Sequence, residues 1–295
     1  MNETTGSDAQ PKIAAKRVEV NGIDTVIRDT GTASSESGAA VVFVHGNPGS
    51  GGDWSSIMPK VAKFSRAIAA DMPGFGQSAK PDDFNYTIEG YADHLDHILS
   101  ELGVEKAHLV LHDFGGPWGL AWAAMNPQKV ASVTLVNIGV LKGYSWHYLA
   151  RIWRTPFIGE FMMGTTSRLG FSVLLKHGNP RGLPKAYLDE MYDNFDRGTK
   201  RAVLKLYRAT SNLGEAADML HSSLAPLNLP AFVVWGKRDP YISYRYADKQ
   251  KETFPNAEIH YLEDSGHWPF IDNPTDFEAA VLPFLQRVTT NEQHA

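Results

Sequence analysis

Apolar positions along this chain follow two rhythms that alternate. Short, nearly continuous runs of aliphatic and β-branched residues recur at 41–44, 66–70, 107–111, 130–136, 231–236 and 258–262. Runs of this length and content read as strands covered on both faces, the pattern of a parallel sheet. Between them lie stretches with helical spacing, at 53–64, 87–102, 118–125, 244–254 and 275–288. Thr87 stands where an N-cap belongs and Gly103 where a helix stops. The alternation predicts an α/β fold with a mostly parallel sheet flanked by helices. Ahead of it, 17–20 and 23–28 flank Asn21-Gly22, a hairpin signal.

Residues 139–221 break the rhythm. The segment carries no long strand run and is rich in aromatic residues and methionine, with Tyr144, Trp146, Tyr148, Trp153, Phe157 and Phe161 in its first part. It predicts an inserted helical cap, most of whose aromatics form its own core. The domain reading is therefore a flexible, polar start over 1–16, a core over 17–138 and 222–295, and a cap over 139–221.

Composition narrows the classes. The chain has 295 residues, 43% hydrophobic and 21% charged, with a formal net charge of −5. That profile is globular, and it offers no basic face for nucleic acid or an anionic membrane. No run approaches the roughly 20 apolar residues of a membrane-spanning helix. The first residues lack the apolar stretch of a signal peptide, so a cytoplasmic location is expected. The sequence has no cysteine, which excludes disulfides and thiol chemistry. It has no H-E-x-x-H spacing and no G-x-G-x-x-G after its first strands, so neither metal nor nucleotide cofactor is expected. Oligomeric state is not readable.

The chemistry gathers at the ends of the strand runs, where open α/β sheets collect their ligand groups. The run at 107–111 leads into His112-Asp113-Phe114-Gly115-Gly116, followed by a helical stretch. This is the layout of a nucleophile elbow, with aspartate in the place usually held by serine. Taken alone, Asp113 also fits a simple helix cap. A carboxylate at an elbow attacks a saturated carbon and forms an ester, which water must then cleave with the help of a base. Asp239 follows the run at 231–236, and His267 follows the run at 258–262. Nucleophile, acid, histidine is the order of an α/β-hydrolase triad. His45-Gly46-Asn47-Pro48 follows the first central strand and brings backbone N–H groups to the same edge.

With these residues the chain resembles an α/β-hydrolase from about residue 17 onward, with an eight-stranded sheet and an inserted cap. The His-Gly-x-Pro loop and the aspartate elbow are similar to the epoxide hydrolase and haloalkane dehalogenase branch. The resemblance implies Asp113 as nucleophile, His267 as the base for water, and Asp239 as the acid that orients it. It implies the backbone N–H groups of Asn47 and Phe114 as the oxyanion hole. His45 and His112 are expected to brace loops. Asn137, where one family form has glutamate, leaves Asp239 as the better acid.

The leaving group separates the two reactions. Epoxide opening needs an acid such as tyrosine, and the family carries two on its cap. Leu206-Tyr207-Arg208 resembles the pair bearing one of them, and Tyr148, with Tyr144 as rival, is the candidate for the other. A halide needs only donors. Asn47 is closer to the dehalogenase form, but Phe114 lacks the N–H of the tryptophan usual there, and Trp146 or Trp153 carries no specific sign of replacing it. The sequence reading is an epoxide hydrolase, with haloalkane dehalogenase as the alternative and a non-catalytic small-ligand receptor as a third. The expected partners are a small hydrophobic substrate and water.

Overall fold

The computed structural model describes residues 13–31, 38–210 and 213–292. Among these residues the sheet has eight strands: β1 (Ala15–Val20), β2 (Ile23–Asp29), β3 (Ala39–Val44), β4 (Arg66–Ala70), β5 (Lys106–His112), β6 (Val130–Val136), β7 (Ala231–Gly236) and β8 (Glu258–Leu262). Their order is β1-β2-β4-β3-β5-β6-β7-β8, antiparallel at the β1–β2–β4 edge and parallel from β4 to β8. The expected α/β class, sheet and hairpin are all present. Of the expected flexible start, residues 1–12 lie outside the described residues, and β1 begins at Ala15.

The helices are α1 (Met58–Val61), α2 (Ile88–Glu101), α3 (Gly115–Met125), α4 (Tyr148–Arg154), α5 (Ile158–Thr165), α6 (Arg168–His177), α7 (Lys185–Asn194), α8 (Arg197–Ala209), α9 (Leu213–Leu224), α10 (Arg245–Lys249), α11 (Pro269–Asp272) and α12 (Pro274–Glu292). Thr87 caps α2 by accepting from the Gly90 N–H. The single helix expected at 53–64 is instead a 3-10 turn, Gly51–Trp54, followed by the short α1. Pro59 enters α1 in its first turn, where its missing N–H costs nothing but bars continuation from the preceding turn. The helix expected at 244–254 also splits, into α10 and a 3-10 turn from Gln250. The Gln250 side chain, fully buried, donates to the Val140 carbonyl and accepts from the Val140 N–H.

The core is continuous through the sheet. β3, β5 and β7 are buried almost throughout, as their uninterrupted apolar runs require. Burial at roughly 25 cal/mol per Å² makes this the principal stabilising term. The parallel register aligns the strand ends: Val44 pairs with Leu111, His112 with Val136, Val136 with Val234, and Gly236 with Leu262. The loops that follow β3, β5, β6, β7 and β8 therefore leave one edge of the sheet together. The segment between β6 and β7 holds α4 to α9, and several of its helices roof that edge.

One roof contact carries a titratable group. Asp53 is buried and accepts from Tyr187 Oη of α7 at 3.1 Å and from the Ser50 N–H at 3.3 Å. Burial pushes its carboxyl up to about 7, against the pull of the Ser50 and Tyr187 bonds. The folded chain thus binds a proton that the unfolded chain releases near pH 4, so this site loses stability as pH rises from about 4 to about 7. Asp53→Asn removes the charge, and its amide can still accept from the Ser50 N–H through Oδ1 while its Nδ2 donates to the Tyr187 hydroxyl oxygen. It is expected to raise the melting temperature at pH 8 by roughly 2–4 °C, with the gain shrinking as pH falls towards 4. Calorimetric melts of both proteins across that range check this, and an equal gain at every pH would remove the titration of Asp53 as its cause.

Candidate active site

Asp113 sits at the turn between β5 and α3 with φ +50°. A non-glycine residue in the left-handed region costs on the order of 1–2 kcal/mol, so the surrounding structure must impose it. The turn lifts the carboxylate above the sheet edge, and α3 begins two residues later, at Gly115. The sequence pattern placed that start near Trp118. The helix begins earlier because the two glycines pack directly on their neighbours: a Cβ on Gly115 would overlap the Val44 carbonyl, and one on Gly116 would overlap Ile138. Gly46, in the loop after β3, is equally constrained, since a Cβ there would run into the Asp113 side chain.

That close approach lets the Asn47 N–H donate to Asp113 Oδ1 at 2.7 Å. The other carboxylate oxygen, Oδ2, lies 3.4 Å from His267 Nε2. His267 Nδ1 in turn lies 2.8 Å from Asp239 Oδ2. Asp239 Oδ1 accepts from the Tyr241 and Ile242 N–H groups, at 2.8 and 3.1 Å. Three residues from three strand ends thus form one connected chain of contacts.

The electrostatics follow from burial and proximity. Burial alone would push Asp113 up; its bond to His267, that residue's charge and the Asn47 N–H outweigh it and hold the carboxyl down at about 2. Burial alone would push His267 down; the charges of Asp239 and Asp113 and its bonds to both raise it, so the imidazolium form is favoured while both carboxylates are ionised. His112 is the opposite case: burial pulls it down to about 3, and it stays neutral. Its Nε2–H donates to the His267 carbonyl at 2.8 Å and steadies the loop that carries His267. His45 is tied to backbone as well, through Nδ1 to the Gly46 carbonyl and through Nε2, which accepts from the Met72 N–H.

The structure adds Asn137, which sequence reasoning set aside once it was seen not to be an acid. It stands at the end of β6 with φ +52°. Its Nδ2 donates to Asp239 Oδ2 at 2.8 Å and to the Gly266 carbonyl at 3.1 Å, and its Oδ1 accepts from the Gly236 N–H. It braces Asp239 and the His267 loop at once. Its position just past a strand run was the available signal.

Above the edge lies a pocket that is partly open to solvent. Asn47, Asp113 and His267 form its polar floor, and Trp153, Met162, Phe171 and Leu175 form part of an apolar roof. Tyr207 of α8 enters this pocket and is only 2% exposed. Its ring packs edge-on against Phe114, with centroids 4.9 Å apart. Asn47 Nδ2 donates to Tyr207 Oη at 3.4 Å, and Asn47 Oδ1 has no partner among the described residues. Rotating the amide by 180° exchanges the roles, and in either arrangement the pair keeps a donor proton unspent. Burial and the Asp113 charge push the Tyr207 phenol well above its ordinary value.

Tyr148 does not join the site. It is 47% exposed at the start of α4 and does not line the pocket. Its rival Tyr144 does not line it either, and its hydroxyl donates to the Tyr241 carbonyl at 3.4 Å. Tyr241 does line the pocket, but its hydroxyl donates to the Leu174 carbonyl at 3.2 Å. His147, also in the lining, was passed over in the sequence because nothing marks it among eleven histidines. Among the described residues no cluster of histidine and carboxylate side chains could hold a metal ion, and no helix is long and apolar enough to cross a membrane.

Known proteins agree with this architecture. The model of the α/β-hydrolase fold family matches residues 39–274. A cis-3-alkyl-4-alkyloxetan-2-one decarboxylase of Xanthomonas campestris is 28% identical, over 92% of this chain and 96% of that protein. A haloalkane dehalogenase of Mesorhizobium japonicum is 26% identical, over 95% of this chain and 94% of its own. The crystal structure of the haloalkane dehalogenase DbeA from Bradyrhizobium elkani superposes with a TM-score of 0.82 at 26% identity, over 94% of this chain and 99% of that one. The chain belongs to the α/β-hydrolase fold family, in the branch that holds the haloalkane dehalogenases and epoxide hydrolases.

Proposed function

We propose that this protein is a haloalkane dehalogenase, acting through an alkyl ester on Asp113 and releasing halide and an alcohol. The observation that carries the reading is the Asn47–Tyr207 pair, two neutral donors in the lining of the pocket that holds Asp113. This reverses the preference drawn from sequence. The epoxide reading calls for two phenols, and Tyr148 lies outside the pocket while the Tyr241 proton is already committed. The relatives named above include haloalkane dehalogenases over nearly the full chain.

Asp113 Oδ1 is held by the Asn47 N–H, which leaves Oδ2 to attack the carbon bearing the halogen. The new C–O bond forms as the C–X bond breaks, and halide departs with the electron pair. Asn47 Nδ2 and Tyr207 Oη stabilise that charge without transferring a proton. Phe114 packs against Tyr207 and supplies only its backbone N–H, as the second oxyanion donor beside Asn47. Esterification removes the Asp113 charge, one of the two that hold His267 up. His267 then releases its proton to solvent, the one proton the overall hydrolysis liberates, and serves as a base, with Asp239 orienting it. It takes a proton from water as that water attacks the Asp113 carbonyl carbon. Collapse returns that proton to the departing alkoxide, and the proton left on the new Asp113 acid passes to His267, which restores the carboxylate and the imidazolium beside it.

A paired assay on 1,2-dibromoethane and styrene oxide tests the assignment. Bromide release without diol is expected. Diol without bromide would overturn it in favour of the epoxide reading, which rests on the single phenol of Tyr207.

A further inference from the structure

Three features of the pocket wall point to a donor beyond the Asn47–Tyr207 pair. His147 lines the cavity, and its ring lies among others that do: 5.3 Å from Tyr241, 6.2 Å from Trp153 and 6.3 Å from Tyr207, centroid to centroid. It is also the N-cap of α4, its Nδ1 accepting from the Ala150 N–H at 3.3 Å. A ring nitrogen that accepts a hydrogen bond carries no proton, so the neutral imidazole must carry its proton on Nε2. No described hydrogen bond uses that N–H. The ring stays neutral at ordinary pH, because burial pulls it down to about 4 against the raising fields of Asp113 and Asp239.

We infer that His147 Nε2–H is a third neutral donor of this pocket and holds the departing halide together with Asn47 and Tyr207. This deepens the dehalogenase reading and rests on it. The capping bond to Ala150 sets the tautomer, so the helix end presents the ring with its donor edge turned away from the backbone. A neutral donor suits a halide. It stabilises a charge that appears only as the C–X bond breaks, and it does not lock the product in an ion pair.

Two substitutions separate the donor from the cap. In His147→Asn the amide oxygen replaces Nδ1 as cap acceptor and nothing replaces Nε2–H. In His147→Gln the longer amide restores an N–H near the Nε2 position. Bromide affinity of each purified protein is read from saturable quenching of tryptophan fluorescence, since Trp153 and Trp268 line the pocket. His147→Asn is expected to bind bromide roughly ten- to a hundredfold more weakly, with an unchanged melting temperature, and His147→Gln to recover most of that loss. Wild-type affinity in His147→Asn would reduce His147 to a helix cap, and equal weakening of both variants would assign the loss to the packing of the ring and overturn its N–H as the donor. Absence of saturable bromide binding in the unmodified protein would instead bring down the dehalogenase reading, and this inference with it.

Discussion

Asp113→Ala is expected to lower bromide release from 1,2-dibromoethane by roughly 10⁴-fold or more, to the level of uncatalysed hydrolysis under the same conditions. The size of the effect follows from the mechanism. A donor that stabilises a charge contributes a few kcal/mol, but the nucleophile supplies the bond that replaces C–X, and no neighbour can substitute. Asp239, the other carboxylate of the site, is turned away: its Oδ1 is held by two backbone N–H groups and its Oδ2 by Asn137 and His267. The variant must be shown to fold, because alanine tolerates φ +50° less well than aspartate. A small drop in melting temperature with complete loss of turnover is the expected combination. Retention of a tenth or more of the wild-type rate would exclude Asp113 as nucleophile.

His267→Gln should have an effect on turnover nearly as large, yet leave a different trace. The first step needs the carboxylate and the halide donors, all of which remain. The second step needs a base, and an amide is none. The ester should therefore accumulate, and intact-protein mass spectrometry after exposure to 1,2-dibromoethane should show one bromoethyl group per chain. Peptide mapping should place it on Asp113, and the double variant with Asp113→Ala should carry none. One equivalent of bromide should appear in a burst without further turnover. Neutral glutamine also removes the positive partner of Asp113, so some slowing of the burst is expected. An inactive variant that never acquires the adduct would show that His267 is needed before the ester forms, which the proposed mechanism does not allow.

The local patterns of the chain made the architecture legible. Uninterrupted apolar runs can be covered only inside a two-faced sheet, and β3, β5 and β7 are so covered. The strand-end positions of Asp113, Asp239 and His267 could be read because strand ends of a parallel sheet converge on one edge. Helix boundaries were less legible where side chains far away in sequence intervene. Gln250 turns from helix to 3-10 geometry in company with its bonds to Val140. The start of α3 moved to Gly115 because Val44 and Ile138 press on that turn.

The sequence by itself determined the sheet, the place of the inserted helices and the residues gathered at the strand ends, because each depends on nearest neighbours along the chain and on the period of burial. Only the tertiary structure decided which residues of the insertion face the pocket. His147 and Tyr148 are adjacent, yet the first lines the cavity and the second is 47% exposed. Successive helical positions turn by about 100°, and the rotation of a short helix is set by what it packs against, not by its own pattern. The same holds for Asn137, whose side chain acquires its place only when β6, β7 and the His267 loop meet around it.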